Sequence, residues 1–316
     1  MKILFLNFSD CPENVHFECA FAAACRKSGI NLETICDIEN NSFYYSVLEG
    51  AKDVSLRKKY GGMKDFKSVP FGEYDCAFIL DFPKRKKCLA PLLWFMKNAP
   101  IPKIFALNHL LFAQGDNYSC DMARRTKIFS RADIFCRLEY DGKFSWQECG
   151  IPKKLILKRK YAIDTSFYGY AGYEGDYLFS AGSAGRDFET LEKCAQDFKT
   201  KLIILSDLRP PATTGTAEYL VFSANTQKVR ELIAGSSLVI LPIKKEHKNE
   251  AAGNSVIFMA MSMGKLVLTK RTGYMEKYIK DGENGFFYRS CRRDELREKI
   301  KKILKMPASE KRAVSK

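Results

Sequence analysis

The chain opens on a short, largely apolar run at residues 2–6, followed at once by polar Asn7, Ser9 and Asp10. A run that short, with polar flanks, reads as a strand buried on both faces of a parallel sheet. Helical spacing follows from Asn14 to Lys27 and stops at Ser28-Gly29, a terminating pair. Strand-like segments recur at Asn31–Cys36, Cys76–Leu80, Lys103–Leu107 and Asp133–Leu138, with helix candidates at Leu89–Asn98 and Met122–Ser130 between them. Strands alternating with helices predict a parallel sheet covered on both faces.

The second half repeats this pattern. Strands are expected at Tyr177–Ala181, Leu202–Leu205, Tyr219–Phe222, Ser237–Leu241 and Leu266–Thr269. Helices are expected at Asp187–Phe198, Thr226–Ala234, Ser255–Met263 and, as a final amphipathic element, Arg293–Leu304. Between the halves, Tyr161–Tyr173 replaces regular periodicity with Gly, Tyr and Asp. The fold class expected is α/β, with two Rossmann-like doubly wound domains, residues 1–165 and 166–316, facing each other across a cleft. Ligands are expected at the carboxyl ends of such sheets.

Composition narrows the function classes. With 46% hydrophobic and 28% charged residues the chain has the make-up of a folded soluble protein. No apolar run approaches the roughly 18–20 residues needed to cross a bilayer, and the best candidate, Ala90–Met96, contains Pro91. The N-terminus lacks the pattern of a signal peptide, so a cytoplasmic location is expected. The 11 cysteines are scattered without a C-x-x-C pair, which favours reduced, buried small hydrophobes over a disulfide framework or a zinc site. No metal ligand set is expected.

The net charge of +15 changes the picture further. Basic clusters stand at Arg57-Lys58-Lys59, Lys84-Arg85-Lys86-Lys87, Lys153-Lys154 and Lys158-Arg159-Lys160. They suit polyanionic partners such as anionic lipid at the inner membrane surface, a phosphorylated glycan or DNA. Each cluster alone reads more readily as a solvated loop or helix face than as a binding site.

Two stretches carry candidate chemistry. In the first, the strand Leu238-Val239-Ile240-Leu241-Pro242 runs into a polar loop holding Lys244, Lys245 and Lys248, then Gly253-Asn254-Ser255 and a helix. Asn254 and Ser255 are good N-cap residue types, and unpaired amides at a helix start attract phosphate. Gly253 permits close approach, and an ordinary capped helix is the alternative. In the second, Ser180-Ala181-Gly182-Ser183-Ala184-Gly185-Arg186-Asp187 forms a small-residue turn between strand and helix. It has neither dinucleotide-fingerprint nor Walker spacing, yet Gly182 and Ser183 admit a diphosphate and Arg186 could clamp it.

The combination resembles the donor domain of GT-B glycosyltransferases, family 4 in particular (glycosyl transferases group 1). The family's Glu-Ala-Met-Ala-x-Gly-x-Pro-Val segment corresponds to Met259-Ala260-Met261-Ser262-Met263-Gly264-Lys265-Leu266-Val267. Its Asp-Gly-x-Asn-Gly turn stands intact as Asp281-Gly282-Glu283-Asn284-Gly285, before Phe286-Phe287-Tyr288. Gly150-Ile151-Pro152 and Ile163-Asp164 resemble the segment leading into that domain. The likeness covers about residues 130–304 well and the N-terminal half loosely.

The resemblance implies transfer of a sugar from a nucleotide-diphosphate sugar to an acceptor hydroxyl, with retention of configuration and without a metal or other cofactor. The nucleotide would sit on residues 166–316 and the acceptor mostly on 1–165. Arg186 matches the family's phosphate-binding basic residue, Gly253, Asn254 and Ser255 match the backbone cradle, and Lys245 adds charge. His109 matches a histidine beside the sugar, a buried structural histidine being the alternative. Two family glutamates are absent, with Ala251 and Met259 at their positions, and Glu250 is the neighbouring candidate substitute. No returning helices are expected after Arg293–Leu304. A glycan or glycolipid acceptor, a modified base of viral DNA, and a degenerate nucleotide-binding partner protein are the three functional readings.

Overall fold

The computed structural model describes residues 1–7, 21–36, 57–59, 63–80, 86–106, 128–138, 156–161, 163–183, 185–198, 200–206, 217–220, 226–245, 252–290 and 292–316. The chain divides into two units, Met1–Ala162 and Ile163–Lys316.

The first unit is built on β1 (Lys2–Asn7), β2 (Asn31–Cys36), β3 (Arg57–Lys59), β4 (Cys76–Leu80), β5 (Lys103–Ala106), β6 (Ile134–Leu138) and β7 (Ile156–Arg159). All pair in parallel, in the order β3-β2-β1-β4-β5-β6-β7. Period-2 alternation sends β1 into two cores at once. Leu4 and Leu6 pack with Ile79, Phe105 and Phe135 on one face, whereas Ile3 and Phe5 pack with Leu32 on the other. Two helices, α1 (Met63–Lys67) and α2 (Lys86–Asn98), deliver Phe66 and Phe95 to the first face. Residues 21–27 are helical and bring Phe21 to Phe5 and Phe78 on the second. Both faces being covered explains the near-continuous apolar strands.

Two basic clusters read as loop or helix faces turn out to lie on strands. Arg57-Lys58-Lys59 is β3, and Lys158-Arg159 closes β7. Among the described residues these are the two outer strands of the sheet.

The second unit holds β8 (Tyr177–Ala181), β9 (Lys201–Leu205), β10 (Ala217–Leu220), β11 (Ser236–Ile240), β12 (Val267–Lys270) and β13 (Phe286–Tyr288). They are parallel in the order β10-β9-β8-β11-β12-β13. Helices α3 (Phe188–Ala195), α4 (Thr226–Ala234), α5 (Asn254–Ser262) and α6 (Arg293–Leu304) connect or flank them. One face buries Leu178, Ile204, Leu238, Ile240 and Leu268 against Leu191 and Cys194 of α3 and Leu296, Ile300 and Ile303 of α6. A further helix, α7 (Ala308–Val314), follows α6, against expectation. Its one buried residue is Val314, too little to show as periodicity.

Two motifs of the resemblance prove to be packing devices. Gly264 ends α5 at φ +71°, and a Cβ there would come within 2.2 Å of the Tyr170 ring. That ring belongs to a strap over the helix end: Ser262 Oγ donates to Tyr168 O (2.7 Å), Ala171 N to Met263 O (2.9 Å) and Lys265 Nζ to Glu174 O (2.7 Å). In the turn before β13, Asp281 accepts from Phe287 N (3.0 Å) and from Arg271 Nη2 (2.9 Å). Asn284 Oδ1 accepts from Lys280 N (2.8 Å) and its Nδ2 donates to Tyr278 O (3.0 Å). Both polar side chains are consumed in shaping the turn. Among the described residues no helix is long and apolar enough to cross a membrane.

Candidate functional site at the switch point of the second sheet

In the second sheet β8 is flanked by β9 and β11, so the strand order reverses between β8 and β11. Connections from these two strands leave in opposite directions, which opens a crevice at their carboxyl ends. The chain leaves β8 at Ala181 and turns at Gly182, whose φ of +96° suits glycine. Ser206 Oγ fixes this turn by donating to Gly182 O at 3.0 Å. Half-buried Ser183 comes next on the turn.

Arg186 folds back beneath it. Its Nε donates to Ala181 O at 3.0 Å, and the residue is 5% exposed. A Cβ on Gly182 would stand 2.7 Å from Arg186 Nη2, and a Cβ on Gly253 would stand equally close at 2.7 Å. The guanidinium therefore lies against two glycines that are 71 residues apart, one in each half of the crevice (253 − 182). Burial lowers its pKa from 12.5 to about 10, with the nearby Tyr288 opposing the shift. Arg186 thus stays cationic at neutral pH in a setting where screening is weak.

The backbone around Arg186 is tied to the exit of β11. Asp187 N donates to Pro242 O (2.7 Å), Lys244 N donates to Gly185 O (2.8 Å), and Arg186 and Ile243 form an antiparallel bridge. Asp187 then caps α3, accepting from Thr190 N at 3.1 Å. Beyond β11, Lys244 and Lys245 are exposed. Lys270 Nζ, at the end of β12, braces their loop by donating to Lys244 O (3.2 Å) and Lys245 O (3.0 Å).

The N-cap of α5 is Gly253, at φ +83°, rather than Asn254 or Ser255. Asn254 is already helical, its Nδ2 donating to Tyr274 Oη (3.3 Å) and its Oδ1 accepting from Ser255 N (2.7 Å). The capping position falls to glycine because a side chain there would strike Leu241 Cδ1 at 2.3 Å as well as Arg186. Val256 to Ala260 are all buried, so α5 is a core helix whose positive end is presented at the crevice. Met259, standing where the resemblance has its second glutamate, is 3% exposed and apolar.

Gly182, Arg186 and Gly253 therefore meet, with Ser183, Asn254 and Ser255 on the flanking turn and helix start. Lys245 lies on the braced exit loop. His109 and Glu250 lie outside the described residues. Sequence reasoning missed Lys270 and Tyr288. Lys270 had a usable signal, since it ends a strand beside the switch point. Tyr288 had none, because its partners lie 45 and 47 residues away. Among the described residues no three His, Cys, Asp or Glu side chains converge as a metal site.

Residues 215–316 match the family model described as glycosyl transferases group 1. No curated protein matches the chain in sequence. Among solved structures, HepE of Anabaena in complex with UDP and glucose is similar at a TM-score of 0.70 and 15% identity, over 100% of this chain and 92% of that one. Sucrose-phosphate synthase of Thermosynechococcus elongatus is similar at 0.65 and 10% identity, over 100% and 92%. An alpha-glucosyltransferase in complex with UDP and a 13-mer DNA is similar at 0.67 and 10% identity, over 100% and 94%. The chain has the GT-B glycosyltransferase fold.

Proposed function

We propose that the protein moves a sugar from a nucleotide-diphosphate sugar to an acceptor hydroxyl. The observation that carries this reading is the buried Arg186 guanidinium against Gly182 and Gly253, at the switch point of the sheet that carries the group 1 match. In such a transfer the bond between the anomeric carbon and the diphosphate oxygen breaks, and the diphosphate leaves with the electron pair. The acceptor oxygen bonds to the same carbon and gives up its proton, which ends on the departing diphosphate. Charge develops on the leaving diphosphate, so fixed donors aimed there lower the barrier. Arg186 supplies a cation, Ser183 a hydroxyl, and the first turn of α5 at Gly253, Asn254 and Ser255 the end of a helix dipole. Lys245 adds charge at the rim.

His109 and Glu250 are proposed to act at the sugar, His109 beside the reacting carbon and Glu250 in place of the family glutamate. Retention and independence of metal rest on the family resemblance. Solved proteins of this fold crystallised with UDP make it the first nucleotide to try. Titration calorimetry with UDP, GDP and their sugars, followed by donor turnover, tests the reading. Binding and turnover support it, whereas binding without turnover for any acceptor would indicate a degenerate binding protein.

A glycan or glycolipid acceptor in the cytoplasm, reached by peripheral contact with the inner membrane surface, is the first reading. A DNA acceptor is the second; the +15 charge suits either reading, and an alpha-glucosyltransferase in complex with a 13-mer DNA has a similar fold. Salt-sensitive binding to duplex DNA favours the second, and retention on anionic vesicles favours the first.

A further inference from the structure

Pro242 sits where β11 leaves the sheet, and the chain peels away from both neighbours there. Leu241 N still donates to Leu268 O at 2.9 Å, but past that point the ladder with β12 ends. Buried backbone groups left in this way need side-chain partners. Tyr288, 1% exposed at the end of β13, reaches across the sheet to the exit. Its hydroxyl donates to Leu241 O at 2.6 Å and accepts from Ile243 N at 2.6 Å, one bond on each side of Pro242. Ile243 is the residue that bridges Arg186, and Leu241 is the side chain that packs under Gly253. One phenol therefore holds the strand exit against both the cation and the glycine cap of α5.

We propose that Tyr288 is a positioning residue for the donor site, setting Arg186 and the start of α5 in register for a nucleoside diphosphate. The proposal rests on the donor-site reading above. Tyr288→Phe keeps the ring in the core and removes the hydroxyl alone. Two backbone groups then lose their partner and the exit can shift. The expected result is about a tenfold rise in the Kd for UDP, together with faster hydrogen exchange at Arg186 Nε–H followed by NMR. Ile300→Val, a change in the same core, serves as the control for general destabilisation and should move neither readout. An unchanged Kd or an unchanged exchange rate in Tyr288→Phe would overturn the proposal. If the wild type binds no nucleoside diphosphate, the donor reading fails by itself. The exchange rate then decides whether Tyr288 holds Arg186, faster exchange supporting it and unchanged exchange overturning it.

Discussion

Replacing Gly253 by alanine separates backbone strain from displacement of Arg186, because Gly282 provides a matched comparison. Both glycines sit at φ +83°. Around Gly282 an added Cβ meets nothing within 4 Å, whereas at Gly253 it would stand 2.3 Å from Leu241 Cδ1 and 2.7 Å from Arg186 Nη2. A left-handed conformation costs a residue with a Cβ about 1–2 kcal/mol. Forcing an extra carbon into a packed site costs about 1–3 kcal/mol more. Gly282→Ala should therefore lose about 1–2 kcal/mol and Gly253→Ala about 2–5 kcal/mol. Urea denaturation followed by circular dichroism measures both. The steric part has a functional consequence too, since Arg186 or Leu241 must move to admit the methyl group. Calorimetric titration should show UDP affinity weakened in folded Gly253→Ala and unchanged in Gly282→Ala. Equal stability losses with equal UDP affinity in the two variants would refute the packing argument.

Lys265 gives a pH prediction. Burial holds its pKa at about 8, against an ordinary 10.5, while its Nζ donates to Glu174 O. The unfolded chain then binds more protons than the folded one between pH 8 and 10.5, so this group raises stability as pH climbs through that window. Its desolvation cost is fully present below pH 8, and Lys265→Met should flatten the rise when unfolding is compared at pH 7 and pH 9.5. At the turn before β13, Asp281→Ala removes the acceptor for Phe287 N and the partner of Arg271. A loss of about 1–3 kcal/mol in urea midpoint stability is expected, with UDP binding retained. Lys270→Ala frees the loop carbonyls at 244 and 245 and should weaken UDP binding by a few-fold at most, about 0.5–1 kcal/mol, as read by the same titration.

Strands and helices buried on a regular face were legible in the sequence. Asn31–Cys36, Cys76–Leu80, Tyr177–Ala181, Thr226–Ala234 and Arg293–Leu304 all match their expected bounds. Short elements and edge strands were not. The edge strands β3 and β7 carry basic runs with no apolar alternation, so they looked like solvated surface. The short β13 and α7 offer too few periodic positions to read.

The candidate site was partly legible for a related reason. Gly182, Arg186 and Gly253 lie on turns whose composition announces a special backbone, so local chemistry pointed to them. That Arg186 rests against both glycines, that Gly253 takes the capping position from Asn254, and that Tyr288 holds the exit of β11 all depend on long-range contacts. Those contacts follow from the strand order and have no local signal.

The central claim is that Arg186 and the α5 start bind the diphosphate of a nucleotide sugar. The most direct measurement is calorimetric titration of UDP and of uridine into the wild type and into Arg186→Ala. A charge-assisted contact is worth about 1.5–3 kcal/mol, or roughly 10–100-fold in Kd. The account predicts that the wild type prefers UDP over uridine by at least that factor, and that Arg186→Ala loses most of the preference while remaining folded. UDP binding equally tight in Arg186→Ala, or a folded wild type that binds no nucleoside diphosphate, would contradict it.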